Sequence, residues 1–344
     1  MKIDSYLLKN FRVYRELHLN FSPGLNFFIG GNGAGKSSLL ESLSVLLSTW
    51  SFLGSKLPPM ILKGQTEIYL AARIESLYGP CKLEHHAVLG AKSREVKIDG
   101  KKINAYQELL RRFPFVTFSS DDLDMIERGP ELRRQFFDRL ISYIDLNYYG
   151  NLVGYAKVLK HRNEVLKSKD RESLEFWDQE LARYAAPLFK TREIYVNDFN
   201  LFCSDFGNFP EGVSELYFEY RPPLKEGEFL AQLFKNRDKD MKIGFTTAGP
   251  HRDEYQIRYP LGLLRNYASS GQKKAMAFYF KLFQAKFIER KTEQRPVLLI
   301  DDIFAELDTS NRMKITNSIK ESGCQTFISS TGEELIQNLL DDSS

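Results

Sequence analysis

The sequence lacks most of what would carry it out of a cytoplasm, into a bilayer or onto a metal. Its cysteines are three, an odd and scattered set at Cys81, Cys203 and Cys324. That argues against a disulfide framework and against cysteine-based metal spacing, and fits reduced, buried thiols. No apolar run approaches the roughly 18 residues needed to span a bilayer. The longest stretch, around residues 39–53, is interrupted by Glu41 and several serines. The opening Met1-Lys2-Ile3-Asp4-Ser5 has no charged-then-apolar layout of a signal peptide. A cytoplasmic protein with no membrane partner is therefore expected. Low-complexity tracts and internal repeats are missing too, which excludes a disordered chain or a solenoid. The net charge of +3 is mild; nucleic-acid binding would need a local patch.

What is present is a globular chain of 344 residues with 42% hydrophobic content, enough for a large core and two domains. Residues 25–29 form a short apolar run that feeds a glycine-rich loop. Leu39, Leu40, Leu43, Leu46, Leu47 and Trp50 then recur at helical spacing. Ile68, Leu70, Ala72 and Ile74 alternate as a half-buried strand, and residues 95–98 lead into an Asp99-Gly100 turn. From about residue 122 the pattern becomes helical. Pro130 starts a helix with Leu132, Phe136, Phe137, Leu140 and Ile144 on one face, and a long stripe runs from Leu174 to Phe206, with Pro187 as a kink or break. Leu216, Phe218 and Tyr220 alternate as a strand before the chain returns through Gly249-Pro250-His251-Arg252-Asp253. The expected organisation is α/β: a discontinuous head of residues 1–118 and 242–344, with an inserted mainly helical lobe at 119–241.

Two phosphate-handling motifs sit far apart. Gly30-Gly31-Asn32-Gly33-Ala34-Gly35-Lys36-Ser37, followed by Ser38, satisfies G-x-x-x-x-G-K-[ST] between a strand and a helix. Its bare glycines let backbone N–H groups face phosphates, Lys36 reaches the β- and γ-phosphates of ATP, and Ser37 offers its hydroxyl to Mg²⁺. Downstream, Ser269-Ser270-Gly271-Gln272 opens a helix over about 273–290, and the apolar run Val297 to Ile300 ends in Asp301-Asp302. Asp301 is expected to face the metal. Asp302 follows Asp301; in ABC-type ATPases, which this motif order resembles, a glutamate usually stands there to polarise the attacking water, and aspartate is one methylene shorter. Each motif has a plain structural reading as well. The serine can be an ordinary helix cap, and the two carboxylates can cap the helix that follows. Lys36, Asp301 and Asp302 are the candidate catalytic residues, and Ser37 with Asp301 the candidate metal ligands.

The order of these motifs is similar to the layout of an ABC-type ATPase head, which carries a mixed central sheet with an antiparallel β layer. In that layout each ATP lies between the loop of one copy and the S-x-G-Q of another, so a two-fold homodimer is expected. The residues together resemble the RecF family of the ABC/SMC group, over nearly the whole chain. Lys9-Asn10-Phe11-Arg12-Val13-Tyr14 is like that family's opening N-F-R-x-Y, and Arg12 joins the nucleotide-contact candidates on that basis. Gly129 through Asp138 resembles G-P-x-x-R-R-x-F-h-D, and His161-Arg162-Asn163 sits in a Y-x-x-x-L-x-x-R-N-x-x-L-like helix. Residues 298–308 are like L-L-x-D-D-h-x-x-E-L-D, where Ala305-Glu306-Leu307-Asp308 resembles a loop through which protomers sense each other. Departures occur at Ser120 and Arg128. Ser329, Ser330 and Thr331 stand where related ATPases place a histidine switch, which leaves the γ-phosphate sensor open.

The resemblance implies ATP-dependent dimerisation on DNA, slow hydrolysis that releases it, and help in loading RecA at single-strand gaps, in support of replication and SOS induction. RecR and RecO are the implied protein partners. Candidate DNA phosphate contacts are Arg111, Arg112, Lys157, Lys160, Arg162, Lys167 and Lys169, although for any one lysine taken alone a solvated helix face is the readier reading. Arg133, Arg134 and Asp138 are expected in an internal ion-pair network that fastens the lobe to the head. Rival readings are an SMC-like or transporter-like ATPase subunit and a protein that holds ATP without hydrolysing it.

Overall fold

The computed structural model describes residues 1–90, 94–103, 106–206, 216–224, 226–259, 262–304 and 309–332. Two compact units emerge: Met1–Leu123 with Ser269–Ser344, and Asp124–Ala268 inserted between these segments in sequence. The first unit begins with β1 (Lys2–Phe11), β2 (Tyr14–Asn20), β3 (Leu25–Ile29), α1 (Lys36–Ser48) and α2 (Leu57–Met60). It continues with β4 (Glu67–Ser76), β5 (Gly79–Val88), β6 (Glu95–Ile98), β7 (Lys101–Ile103), α3 (Tyr106–Arg112) and β8 (Phe115–Phe118). The second unit contributes α4 (Asp124–Glu127), α5 (Pro130–Ile144), α6 (Leu146–Ser168), α7 (Leu174–Asp205) and β9 (Tyr217–Arg221). It closes with α8 (Phe229–Ile243), β10 (Glu254–Tyr259), β11 (Gly262–Leu263) and α9 (Leu264–Tyr267). The chain then returns through α10 (Ser270–Thr292), β12 (Val297–Asp301), α11 (Thr309–Ser322) and β13 (Thr326–Ser330).

The strands of the first unit sort into two sheets. One is antiparallel, in the order β2-β1-β4-β5-β6-β7; the other is parallel, in the order β3-β13-β12-β8. The expected alternation of Ile68, Leu70, Ala72 and Ile74 is present on β4. Asp99 and Gly100, at φ 49 and 78, make the two-residue turn between β6 and β7. Helix α1 lies between the sheets, touching β1, β4 and β5 as well as β8, β12 and β13. Residues 39–48 are accordingly buried around its whole circumference, as a helix flanked on two sides must be. Its polar members are satisfied inside: Tyr6 donates to Ser42, and Ser44 and Ser48 donate to carbonyls one turn back. Because all four strands of the second sheet point one way, residues following β3, β12 and β13 meet at one edge.

The inserted unit is mainly helical, with a three-stranded sheet β11-β10-β9. Helix α7 runs unbroken through Pro187, so the proline does not end it. Phe136, Phe137, Phe199, Phe218 and Tyr255 form its aromatic core. Asn200 closes the free edge of β9: its amide accepts from the Phe218 N–H and donates to the Phe218 carbonyl, each at 2.8 Å. Compared with the expected lobe of 119–241, this unit begins at Asp124 and keeps the chain to Ala268. The reason is pairing: β10 hydrogen-bonds to β9 along five residue pairs. In addition, Arg192 on α7 donates to Asp253 Oδ2 at 2.6 Å and to the Pro250 carbonyl at 2.7 Å. No helix among the described residues is long and apolar enough to cross a membrane.

Candidate nucleotide site

The glycine loop leaves β3 and enters α1 without a side-chain cap. Gly33 and Gly35 take φ of 80 and 94, conformations that direct successive N–H groups inward and that a Cβ would oppose. At Gly35 the constraint is also steric, since a Cβ would lie 2.8 Å from both Tyr14 Oη and Val13 Cγ2. The tip of the β1–β2 hairpin thus braces the loop from behind. Residues 31–34 are exposed, and the first-turn N–H groups of α1 have no side-chain partner at the cap, which leaves an open anion cradle. Lys36 Nζ donates to the Gly30 and Gly31 carbonyls at 2.6 and 2.8 Å. Among the described residues it has no carboxylate partner, so its charge is available to a phosphate. Ser38, half-buried, follows it on α1.

Across the parallel sheet, Ser37 Oγ donates to Asp301 Oδ1 at 2.9 Å. The two candidate metal ligands therefore touch although they lie 264 positions apart. A hydroxyl and a carboxylate in contact are the hard oxygen donors a divalent cation bound to phosphates requires. ATP and Mg²⁺ fit this donor set. Asp302 is exposed and has φ 50, a left-handed conformation that costs a non-glycine residue about 1 kcal/mol. Its N–H donates to Ser329 Oγ at 3.1 Å, and the Ser329 hydroxyl donates to Asp301 Oδ1. The sequence marked 329–331 only as a region lacking histidine; the role of Ser329 follows from β13 lying beside β12, with Asp301 opposite Ser329.

The second motif is a helix cap of good geometry. Ser269 Oγ accepts from the Gln272 N–H at 3.3 Å, and the Gln272 side chain accepts from the Ser269 N–H at 2.9 Å, a complete capping box at the start of α10. Gly271 has nothing within 4 Å of where a Cβ would stand. Both properties, the cap and the open surface, coexist.

Arg12 does not join the cradle. Its guanidinium forks onto Glu41, Nε to Oε2 at 2.8 Å and Nη2 to Oε1 at 2.9 Å, and further bonds reach Ser55 and the Pro59 carbonyl. Asp122, in the 3-10 turn after β8, accepts from the Ser119 N–H at 2.9 Å and pairs with Lys281 of α10 at 2.8 Å. Ala305, Glu306, Leu307 and Asp308 lie outside the described residues.

Of the candidate DNA contacts, Lys157, Lys160, Lys167 and Lys169 are exposed on α6 and its end. Arg162 is not among them. It is fully buried, bonded to Asp178 at 2.6 Å and to Asp240 at 2.9 Å, because α6 packs that face against α7 and α8. Arg111 and Arg112 stack over the Tyr78 ring, and Arg111 donates to its hydroxyl. Arg133 pairs with Glu254, Arg134 donates to the Asp253 carbonyl and Asp138 pairs with Arg192, a network, but not the expected tie between lobe and head. All of these partners lie in the inserted unit.

A nucleotide-binding head of the P-loop class is what this sheet, loop and carboxylate set define. The family model described as RecF/RecN/SMC N terminal domain matches residues 2–343. The chain is 33% identical over 348 residues to the DNA replication and repair protein RecF of Lachnoclostridium phytofermentans, covering 99% of this chain and 96% of that one. Against RecF of Thermoanaerobacter pseudethanolicus it is 32% identical over 353 residues, 98% and 96% of the two chains. Among solved structures, the recombination mediator protein RecF with ATPrS in the RecFOR pathway matches at a TM-score of 0.86 and 30% identity, over 97% of this chain and 93% of that one. An Smc head bound to the C-winged helix domain of ScpA matches at a TM-score of 0.55 and 16% identity, over 98% and 92%, a likeness of fold alone. The chain belongs to the RecF family of ABC/SMC-like ATPases.

Proposed function

We propose that this chain is an ATP-gated DNA clamp of recombinational gap repair. ATP binding drives two copies together on DNA, and slow, DNA-stimulated hydrolysis releases them. The observation that supports the reading is a pair of separate helix N-termini, those of α1 and α10, each entered through residues suited to phosphate. The second is open at Gly271, and Ser269 is exposed. A pair of copies related by a two-fold axis would set the cradle of one against the nucleotide of the other.

In this reading the loop N–H groups and Lys36 hold the phosphates, while Ser37 and Asp301 hold Mg²⁺. When bound, that cation neutralises charge developing on the transferred phosphoryl group. Asp302 orients the attacking water and accepts its proton. DNA is gripped through backbone phosphates, with Lys157, Lys160, Lys167 and Lys169 as contacts. Nothing among the described residues is arranged to read bases. The names of the similar proteins support a role in replication and repair; RecR and RecO as partners, RecA loading at gaps and SOS induction are parts of the proposal itself.

Sedimentation of the wild type and Lys36→Ala with ATP and a gapped duplex tests this directly. The wild type should assemble as a dimer on the DNA, and Lys36→Ala should stay monomeric. A wild type that remains monomeric in saturating ATP and DNA ends the proposal. ATP turnover that ignores DNA would favour a transporter-like subunit.

A further inference from the structure

We infer that Ser329 is a positioning residue that aims the Asp301 carboxylate and pins the Asp302 backbone through one hydroxyl, an assignment that rests on the ATPase reading above. The argument begins with β13. That strand is hydrogen-bonded to the loop strand β3 on one side and to β12 on the other, so its last residues lie between the phosphate cradle and the carboxylates. Ser329 stands opposite Asp301 in the register and is 1% exposed, so its hydroxyl has no water to fall back on.

A serine hydroxyl has one proton and two lone pairs. The Asp302 N–H can only donate, at 3.1 Å, so Ser329 Oγ accepts there. The single proton is then directed to Asp301 Oδ1, which can only accept in its ionised form. The hydroxyl is thereby oriented without ambiguity, and it joins the side chain of one aspartate to the backbone of the next. Two consequences follow. Asp302 is held at φ 50, so its carboxylate leaves the strand line at a turn. Asp301 Oδ1 is shared by Ser37 and Ser329. Once Ser37 turns its oxygen to a cation, Ser329 is the hydroxyl that keeps Asp301 aimed.

The test compares wild type, Lys36→Ala, Ser329→Ala and Ser329→Thr. Mn²⁺ affinity in the presence of ATP is read by electron paramagnetic resonance, ATP affinity in EDTA by fluorescence, and steady-state turnover alongside. Ser329→Ala should weaken Mn²⁺ binding about tenfold or more, the order expected for a hydrogen bond to a charged group. Its kcat should fall by at least as much with KM nearly unchanged, while metal-free ATP affinity stays at the wild-type value. Ser329→Thr, which keeps the hydroxyl, should recover most of both losses. Wild-type metal affinity and turnover in Ser329→Ala would overturn the inference. So would a Thr variant that melts like wild type yet behaves like Ala, or an Ala variant whose metal-free ATP binding collapses together with its melting temperature. Failure of the wild type itself to bind ATP more tightly than Lys36→Ala would instead remove the ATPase reading beneath it.

Discussion

Arg12 and Glu41 form a two-bond fork in which the carboxylate is wholly buried and the guanidinium three-quarters covered. Glu41 accepts in addition from Ser51. Removing the cation leaves an ionised group inside the head, so Arg12→Met should destabilise by about 3 kcal/mol. Glu41→Leu combined with Arg12→Leu should recover much of that, because the charge and its partner leave together. Urea denaturation checks both. A destabilisation below about 0.5 kcal/mol in Arg12→Met would show that the fork contributes little.

Gly35→Ala should damage the phosphate cradle through the hairpin behind it. The new methyl would sit 2.8 Å from Val13 and from Tyr14 at a φ of 94, so strain and collision add. A loss of at least about 1 kcal/mol in stability is expected, with ATP affinity reduced more than tenfold. At Gly31, where nothing lies within 4 Å of an added Cβ and φ is not left-handed, alanine should be tolerated by the fold. Calorimetry and nucleotide titration on the two variants separate the effects.

Acid should weaken the two units through two different histidines. Burial holds His85 down to about 4, its Nδ1–H donating to the Val45 carbonyl while Nε2 has no hydrogen-bond partner among the described residues. His251 is likewise held near 4 by burial, between Tyr155 and the Thr246 carbonyl. Both folded values lie below the unfolded value of 6.5. The unfolded chain therefore binds more protons between these limits. The stability is intact above pH 6.5 and is lost as pH falls toward 4, by roughly 3 kcal/mol per histidine. His85→Phe should flatten that slope for the head; Val45 O would keep its bond from Thr49. An unchanged pH profile in this variant would refute the assignment.

Gly271→Glu should separate folding from assembly better than any change at Ser269, because Ser269 is the helix cap. A glutamate at the second position of α10 has open space and favours the positive end of the helix. Monomer stability should hold or rise by a few tenths of a kcal/mol. The same carboxylate would repel a partner's bound phosphates, so ATP-driven dimerisation should vanish in sedimentation. Retained assembly would exclude this surface.

Local order was legible because it is local. The glycine loop, the Asp99-Gly100 turn, the Ser269–Gln272 cap and the apolar run before Asp301 each declare themselves within a few residues. Residue types and their spacing set backbone dihedrals and burial there, and nothing distant is needed. Long-range partnership was not legible in the same way. Arg162 and Lys160 look alike in the sequence, yet one is fully buried on two aspartates and the other exposed; only the packing of α6 against α7 and α8 decides which. The pairing of Arg12 with Glu41, 29 positions away, was likewise not legible.

By itself, then, the sequence determined a glycine loop of phosphate-binding spacing between a strand and a helix. Only the tertiary structure decided that Ser37, Asp301 and Ser329 converge, since that depends on β13 inserting between β3 and β12, a strand order written in no single segment. Charge pairing and hydrogen bonding act over a few ångströms of space, whereas Ser37 and Asp301 are separated by 264 positions of chain and Asp301 and Ser329 by 28.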